Sequence, residues 1–116
     1  MKYTDAQRLE KIRDYCGKLL DYIKTAGITR QMLLEDYTVQ WTVTTPLYNI
    51  GEHTYYLSDD LKATHPEIPW AKISGLRHRL VHSYDSTNWS IIVQVVFDEL
   101  AEFYEAVQVI RCSESN

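Results

Sequence analysis

The sequence predicts an all-α protein: an antiparallel up-and-down bundle of four main helices with an additional short helix. Three observations predict it. Apolar residues recur at three- and four-residue steps in four separate segments. Short stretches of turn and cap residues divide those segments, as antiparallel helical neighbours require. No segment shows sustained strand alternation with a turn partner beside it.

The first helix is expected from about Asp5 to about Ala26. Leu9, Ile12, Cys16, Leu19, Leu20 and Ile23 fall on one face. Thr4 and Gln7 have capping-box spacing, and Gly27 closes the helix. Ile28 to Glu35 reads as a short helix or a turn. A long helical stretch follows from about Asp36 to Leu61, with Val39, Val43, Leu47, Ile50, Leu57 and Leu61 as its apolar stripe. Thr42, Val43, Thr44 and Thr45 lower helix propensity, and Pro46 should kink or interrupt the helix near that point. A strand over Tyr37 to Thr45 would have nothing to pair with, so a bent helix is the reading kept. Gly51 reads as a small residue that lets another helix approach closely.

Pro66 and Pro69 bound a loop. Trp70 opens a third helix, with Ile73, Leu76, Leu80 and Val81 facing inward, ending around His82 to Asp85. Asp85-Ser86-Thr87-Asn88 is a turn rich in N-cap residues. The last helix is expected from about Trp89 to Ile110, on the stripe Ile92, Val95, Val96, Leu100, Phe103, Val107 and Ile110. No repeat or linker divides the chain, so residues 1–116 read as one helical domain.

With 12 Lys and Arg against 16 Asp and Glu, the net charge is -4. That balance argues against a general nucleic-acid coat protein, which would carry excess positive charge. Any RNA contact must come from a local basic patch. No apolar run is long enough to cross a bilayer, and the start, Met1-Lys2-Tyr3-Thr4-Asp5, lacks an apolar signal core. The expectation is a cytoplasmic protein with no membrane association. Cys16 and Cys112 then read as free thiols.

The local basic patch is Leu76-Arg77-His78-Arg79-Leu80-Val81-His82-Ser83-Tyr84, at the end of the third helix. Arginine binds phosphate through paired donors and stabilises charge developing on it. Histidine titrates near neutrality and passes protons. Together they meet the needs of RNA cleavage without a metal or other cofactor. On an ideal helix Arg77 and His82 lie about 140° apart. They converge only if the helix distorts or if a second subunit completes the site across a two-fold axis. The spacing therefore favours a composite site at a dimer interface. A metal-site reading would join His78 and His82, four apart on one face, to His53 or His65. Its remaining ligands are not evident.

The pattern Arg77-x4-His82-x-Tyr84 resembles the motif of the HepT-like toxins of the HEPN superfamily. The surroundings match as well: Ile68-Pro69-Trp70, then Ile73-x-Gly75-Leu76-Arg77, then Leu80-Val81-His82-x-Tyr84. Upstream, Asn49-Ile50-Gly51-Glu52 is similar to the group's second-helix segment. The likeness covers roughly Asp36 to Leu100. His78 stands where the family often has Asn or Asp, and Glu52 reads as structural or at the rim.

The resemblance implies a HEPN-type bundle that forms a homodimer and acts as a metal-independent endoribonuclease toxin. Arg77 and His82 would be the catalytic pair. From the basic patch itself, and not from the resemblance, His78 and Arg79 are candidate auxiliary RNA-binding residues. Tyr84 matches the tyrosine to which a partner antitoxin, a minimal nucleotidyltransferase, adds AMP. The substrate would be messenger or transfer RNA. An alternative is a catalytically inactive HEPN subunit that partners a nucleotidyltransferase.

Overall fold

The computed structural model describes residues 2–81 and 87–110, and of Val81 the backbone alone. The expected site residues His82 and Tyr84 lie outside the described residues, as does Cys112. The helices are α1 (Asp5–Thr25), α2 (Arg30–Glu35), α3 (Tyr37–Tyr55), α4 (Asp59–Thr64), α5 (Trp70–Val81), α6 (Trp89–Asp98) and α7 (Leu100–Gln108). No strand occurs among the described residues. The all-α expectation therefore holds. α1, α3, α5 and the α6–α7 pair make the four long members, with two short helices, α2 and α4, where one was expected.

α1 begins and ends as its sequence requires. The Thr4 hydroxyl accepts from the Gln7 N–H at 3.1 Å, and the Gln7 side chain accepts from the Thr4 N–H at 2.9 Å. At the other end Gly27 has φ +66°. The Ile28 N–H reaches back to the Ile23 carbonyl, and the Gly27 N–H to the Lys24 carbonyl. This left-handed closure satisfies carbonyls that the helix end would otherwise leave open.

α3 runs unbroken through Pro46, in keeping with the reading of one helix there and not an interruption. Proline removes one backbone donor, and the polar side chains around it bond back to the preceding turn of the helix. Thr42 donates to the Thr38 carbonyl and Thr44 to the Gln40 carbonyl, each at 2.7 Å. Asn49 donates to the Thr45 carbonyl at 2.9 Å. Bonds to the preceding turn let these residues sit inside a helix.

The same helix stops at Tyr55, short of the expected Leu61. Ser58 then caps a new helix, accepting from the Leu61 N–H at 3.1 Å. Asp59 and Asp60 stand in its first turn, where negative charge is favourable. The Asp5 carboxylate accepts from both the N–H and the hydroxyl of Ser58, which fixes the break against the start of α1. The last helix is also divided. Glu99 leaves helical geometry at φ -131°, and its carboxylate pairs with Lys72 of α5 at 2.9 Å. Glu99 N–H still donates to Val95, and its carbonyl still accepts from Phe103, so α6 and α7 form one bent member.

The predicted inner faces are the core. Leu9, Ile12, Cys16 and Leu19 of α1 are buried, as are Val39, Val43, Leu47 and Ile50 of α3. So are Ile73, Leu76 and Leu80 of α5, and Ile92, Val95, Val96, Leu100, Phe103, Val107 and Ile110 on the final stripe. Each such side chain contributes roughly 1.5–3 kcal/mol on burial. Leu20, Ile23 and Leu61 are partly buried at its margin. Burial pushes the Cys16 thiol up to about 12, so it packs as an inert apolar group. Arg13 of α1 crosses to the end of α7, donating to the carbonyls of Val107 and Ile110 at 2.8–3.0 Å. It thus places a cation at a helix C-terminus.

The tightest approach is α3 on α5. A methyl group at Gly51 would stand 2.7 Å from the Arg77 backbone nitrogen and 3.2 Å from the Ile73 carbonyl oxygen. Backbone cannot yield as a side-chain tip can. Gly51→Ala gains roughly 1 kcal/mol of intrinsic helix propensity, yet overpacking costs about 1–3 kcal/mol. The variant should therefore unfold at lower urea concentration than the parent. Equal or greater stability would show that the helices do not touch there.

Candidate active site around Arg77

Arg77 lies on the side of α5 that faces α3, because Leu76, Ile73 and Leu80 occupy the adjoining core positions. Its guanidinium is held by two groups of α3. The Glu52 carboxylate accepts from Nη1 at 3.4 Å, with both side chains about seven-tenths buried (27% and 30% exposed). The Tyr55 ring lies under the guanidinium, 4.0 Å from Cζ to the ring centroid. Tyr56 stands further off, at 5.6 Å. The contact to an aromatic face is worth roughly 0.5–2 kcal/mol, more as water is excluded. The fork has five donors, of which Glu52 engages one, so it retains capacity for a phosphate.

Glu52 was expected to be structural, and it is so in a specific sense: it orients the motif arginine. Gly51, Glu52 and Tyr55 act together because they lie within one turn of α3. Gly51 admits α5, and its neighbours meet the arginine that this brings in.

A second arginine continues the arrangement. Arg8 of α1 lies 5.1 Å from the centroids of both Tyr3 and Tyr56. It also donates to Nδ1 of His53 at 3.1 Å. His53 is buried, at 7% exposure, with the edge of its ring against Tyr3. Burial lowers its pKa below the ordinary value, and the neighbouring Arg8 and Lys11 lower it further against an opposing effect of Glu52. The neutral ring is therefore the form that accepts from Arg8. Sequence reasoning missed Tyr3, Arg8, Tyr55 and Tyr56. The adjacent tyrosines at a helix end were the available signal. The partnership with α1 spans 45 residues and had none.

The other predicted residues separate. His78 and Arg79 are exposed. Arg79 borders a shallow groove between α5 and α6 with Ala71, Gly75, Ile91 and Gln94. It is on the far side of α5 from Arg77, so the structure does not bring the two arginines together. For the metal reading, no group of three His, Cys, Asp or Glu that could hold an ion occurs among the described residues. No helix there is long and apolar enough to cross a membrane.

The described residues thus form an all-α bundle in which Arg77 rests on an acid and an aromatic ring. The sequence model of the ribonuclease HepT-like family matches residues 6–110, and the chain belongs to that family. It is 29% identical over 107 residues to "Putative RNase TTE0752" of Caldanaerobacter subterraneus, covering 92% of this chain and 94% of that protein. It is 28% identical to "Probable ribonuclease HepT" of Thermococcus cleftensis, covering 76% and 84%. It is 29% identical to "Putative RNase MJ0127" of Methanocaldococcus jannaschii, covering 93% and 88%. No solved structure matches the chain.

His53 gives the site a pH signature. Its pKa in the folded chain lies below the ordinary 6.5. Between those two values the unfolded chain binds more protons, so stability is full above 6.5 and falls as pH drops through that window. His53→Gln should lack this contribution. The stability difference between parent and variant should shrink as pH is lowered from about 7.5 to about 5, across the ordinary histidine range. Thermal unfolding checks it, and a difference that stays constant would place His53 in solvent.

Proposed function

We propose that the protein is a metal-independent endoribonuclease, the toxin of a toxin–antitoxin pair, whose active centre is Arg77 with His82. One observation supports this reading: in a chain of the ribonuclease HepT-like family, the motif arginine is oriented by Glu52 and Tyr55. His82 takes the proton of a ribose 2′-hydroxyl, whose oxygen attacks the adjacent phosphorus. Arg77 stabilises the charge that builds on the phosphoryl oxygens. The 5′-oxygen leaves with a proton, and the other product ends in a 2′,3′-cyclic phosphate. No step requires a metal ion. The helical offset of Arg77 and His82 supports a homodimer in which two copies complete a shared cleft.

With chelator present, the parent should cut RNA and leave cyclic phosphate ends. Arg77→Ala and His82→Ala should each lose about a hundredfold or more, the usual scale for a phosphate-stabilising or proton-transferring group. Chelator-sensitive cleavage would remove the metal-independent mechanism. Failure of the parent to cut any RNA offered would favour the inactive nucleotidyltransferase subunit.

Tyr84 is the proposed acceptor of AMP from a partner nucleotidyltransferase. The added bulk and negative charge would repel RNA beside Arg77. Tyr84→Phe should keep cleavage and lose labelling when incubated with the nucleotidyltransferase and labelled ATP. Labelling of the Phe variant at full level would exclude Tyr84.

A further inference from the structure

The cations and tyrosines around Arg77 alternate across four helices, α1, α3, α4 and α5. Lys62 Nζ stands 5.9 Å from the Tyr55 ring, and the Arg77 guanidinium lies on that same ring at 4.0 Å. Arg77 is also 5.6 Å from Tyr56, and Arg8 is 5.1 Å from both Tyr56 and Tyr3. Lys11 ends the series, 5.6 Å from Tyr3. Four positive charges are thus gathered on one strip of a chain whose net charge is -4. Nearby carboxylates are engaged: Glu52 holds Arg77, and Asp5 is turned to the N–H and hydroxyl of Ser58.

Core packing does not account for the rings. Tyr3, Tyr55 and Tyr56 are 43%, 50% and 50% exposed. Their positions are nonetheless fixed. Tyr55 and Tyr56 meet edge to face at 4.9 Å, and Tyr3 sits edge-on to the buried His53. Ordered, half-exposed rings spaced by cations suit a chain of unpaired bases joined by phosphates. Each base has a face that stacks on an aromatic ring, and each phosphate needs a counter-charge. A duplex keeps its bases stacked on one another and offers no face to a ring.

We propose that the strip from Tyr55 through Tyr56 to Tyr3 is a binding subsite for single-stranded RNA, with bases stacked on the tyrosines and phosphates on Arg8, Lys11 and Lys62. The inference rests on the ribonuclease reading and extends it. The strand would pass Arg77 between Tyr55 and Tyr56, so cleavage would fall at a fixed distance from the stacked bases. Substrates would be unpaired segments such as loops and tails.

The test uses the full chain carrying His82→Ala, so that RNA is bound and not consumed, with a fluorescently labelled single-stranded oligonucleotide of mixed sequence. Tyr56→Ala and Tyr3→Ala should each weaken binding about tenfold, the scale of one lost stacking contact. Tyr56→Phe should stay within about twofold, because it keeps the ring. Arg8→Gln and Lys11→Gln should each lower the slope of log affinity against log salt by roughly 0.7. A duplex of the same sequence should bind more weakly. In the parent background, RNA containing 4-thiouridine should cross-link under ultraviolet light to tyrosines of the strip. This last measurement requires no folded variant.

Equal affinity of both alanine variants, equal binding of duplex, or cross-links confined to other surfaces would overturn the subsite. Failure of the two readings looks different. RNA that binds on the strip but is never cut by the wild type leaves the subsite standing and removes the nuclease. RNA that is cut by the wild type but bound equally by the tyrosine variants removes the subsite alone.

Discussion

The contact of Gly51 with the backbone of α5 is the constraint on which the arrangement depends. Only a residue without a side chain allows the Arg77 nitrogen to come so near α3. Once the helices are that close, Glu52 and Tyr55 on the same turn fall beside and beneath the arginine head group. The packing of the bundle and the geometry of the candidate site are therefore one fact. A looser crossing would leave Arg77 on a mobile stem in water, where an exposed ion pair contributes little.

Charge in this molecule is sorted by position. The acidic balance of the whole chain keeps nonspecific attraction to polyanions low. Lys62, Arg77, Arg8 and Lys11 form a local exception. Burying His53 in its neutral form contributes to this order. A protonated ring there would add a further charge next to Arg8 and would remove the acceptor that fixes it. The desolvated imidazole thus fixes Arg8, one of these four cations.

Most of the bundle was legible because its stripes follow the helical period, with Leu20, Ile23 and Leu61 only partly buried at the margin. The final stripe from Ile92 to Ile110 is buried at all seven positions named from the sequence. Helix ends were less legible. Pro46 was read as a bend within a retained helix, and the helix is continuous there. Ser58 with Asp59 and Asp60 was a readable cap, masked by an apolar pattern that continued past it to Leu61. Glu99 carries no local breaker signal, since its departure accompanies an ion pair with Lys72, 27 residues away. At the site, Arg77 could be named from its motif and Gly51 from its size. The contribution of α1 could not, because nothing near Arg8 in sequence points to His53 or Tyr56. His82 and Tyr84 fall outside the described residues.

The seating of Arg77 between an acid and a ring also bears on the entropy of recognition. A free arginine side chain gives up about 2 kcal/mol of rotational freedom when it is fixed on a ligand. Here much of that freedom is already lost in the folded chain. In the proposed function, a phosphate would meet a fork whose plane is set by Tyr55 and whose rotation is limited by Glu52. Lysine at this position would keep the charge but lose both the plane and the paired donors. The site thus selects for the shape of the guanidinium as much as for its sign.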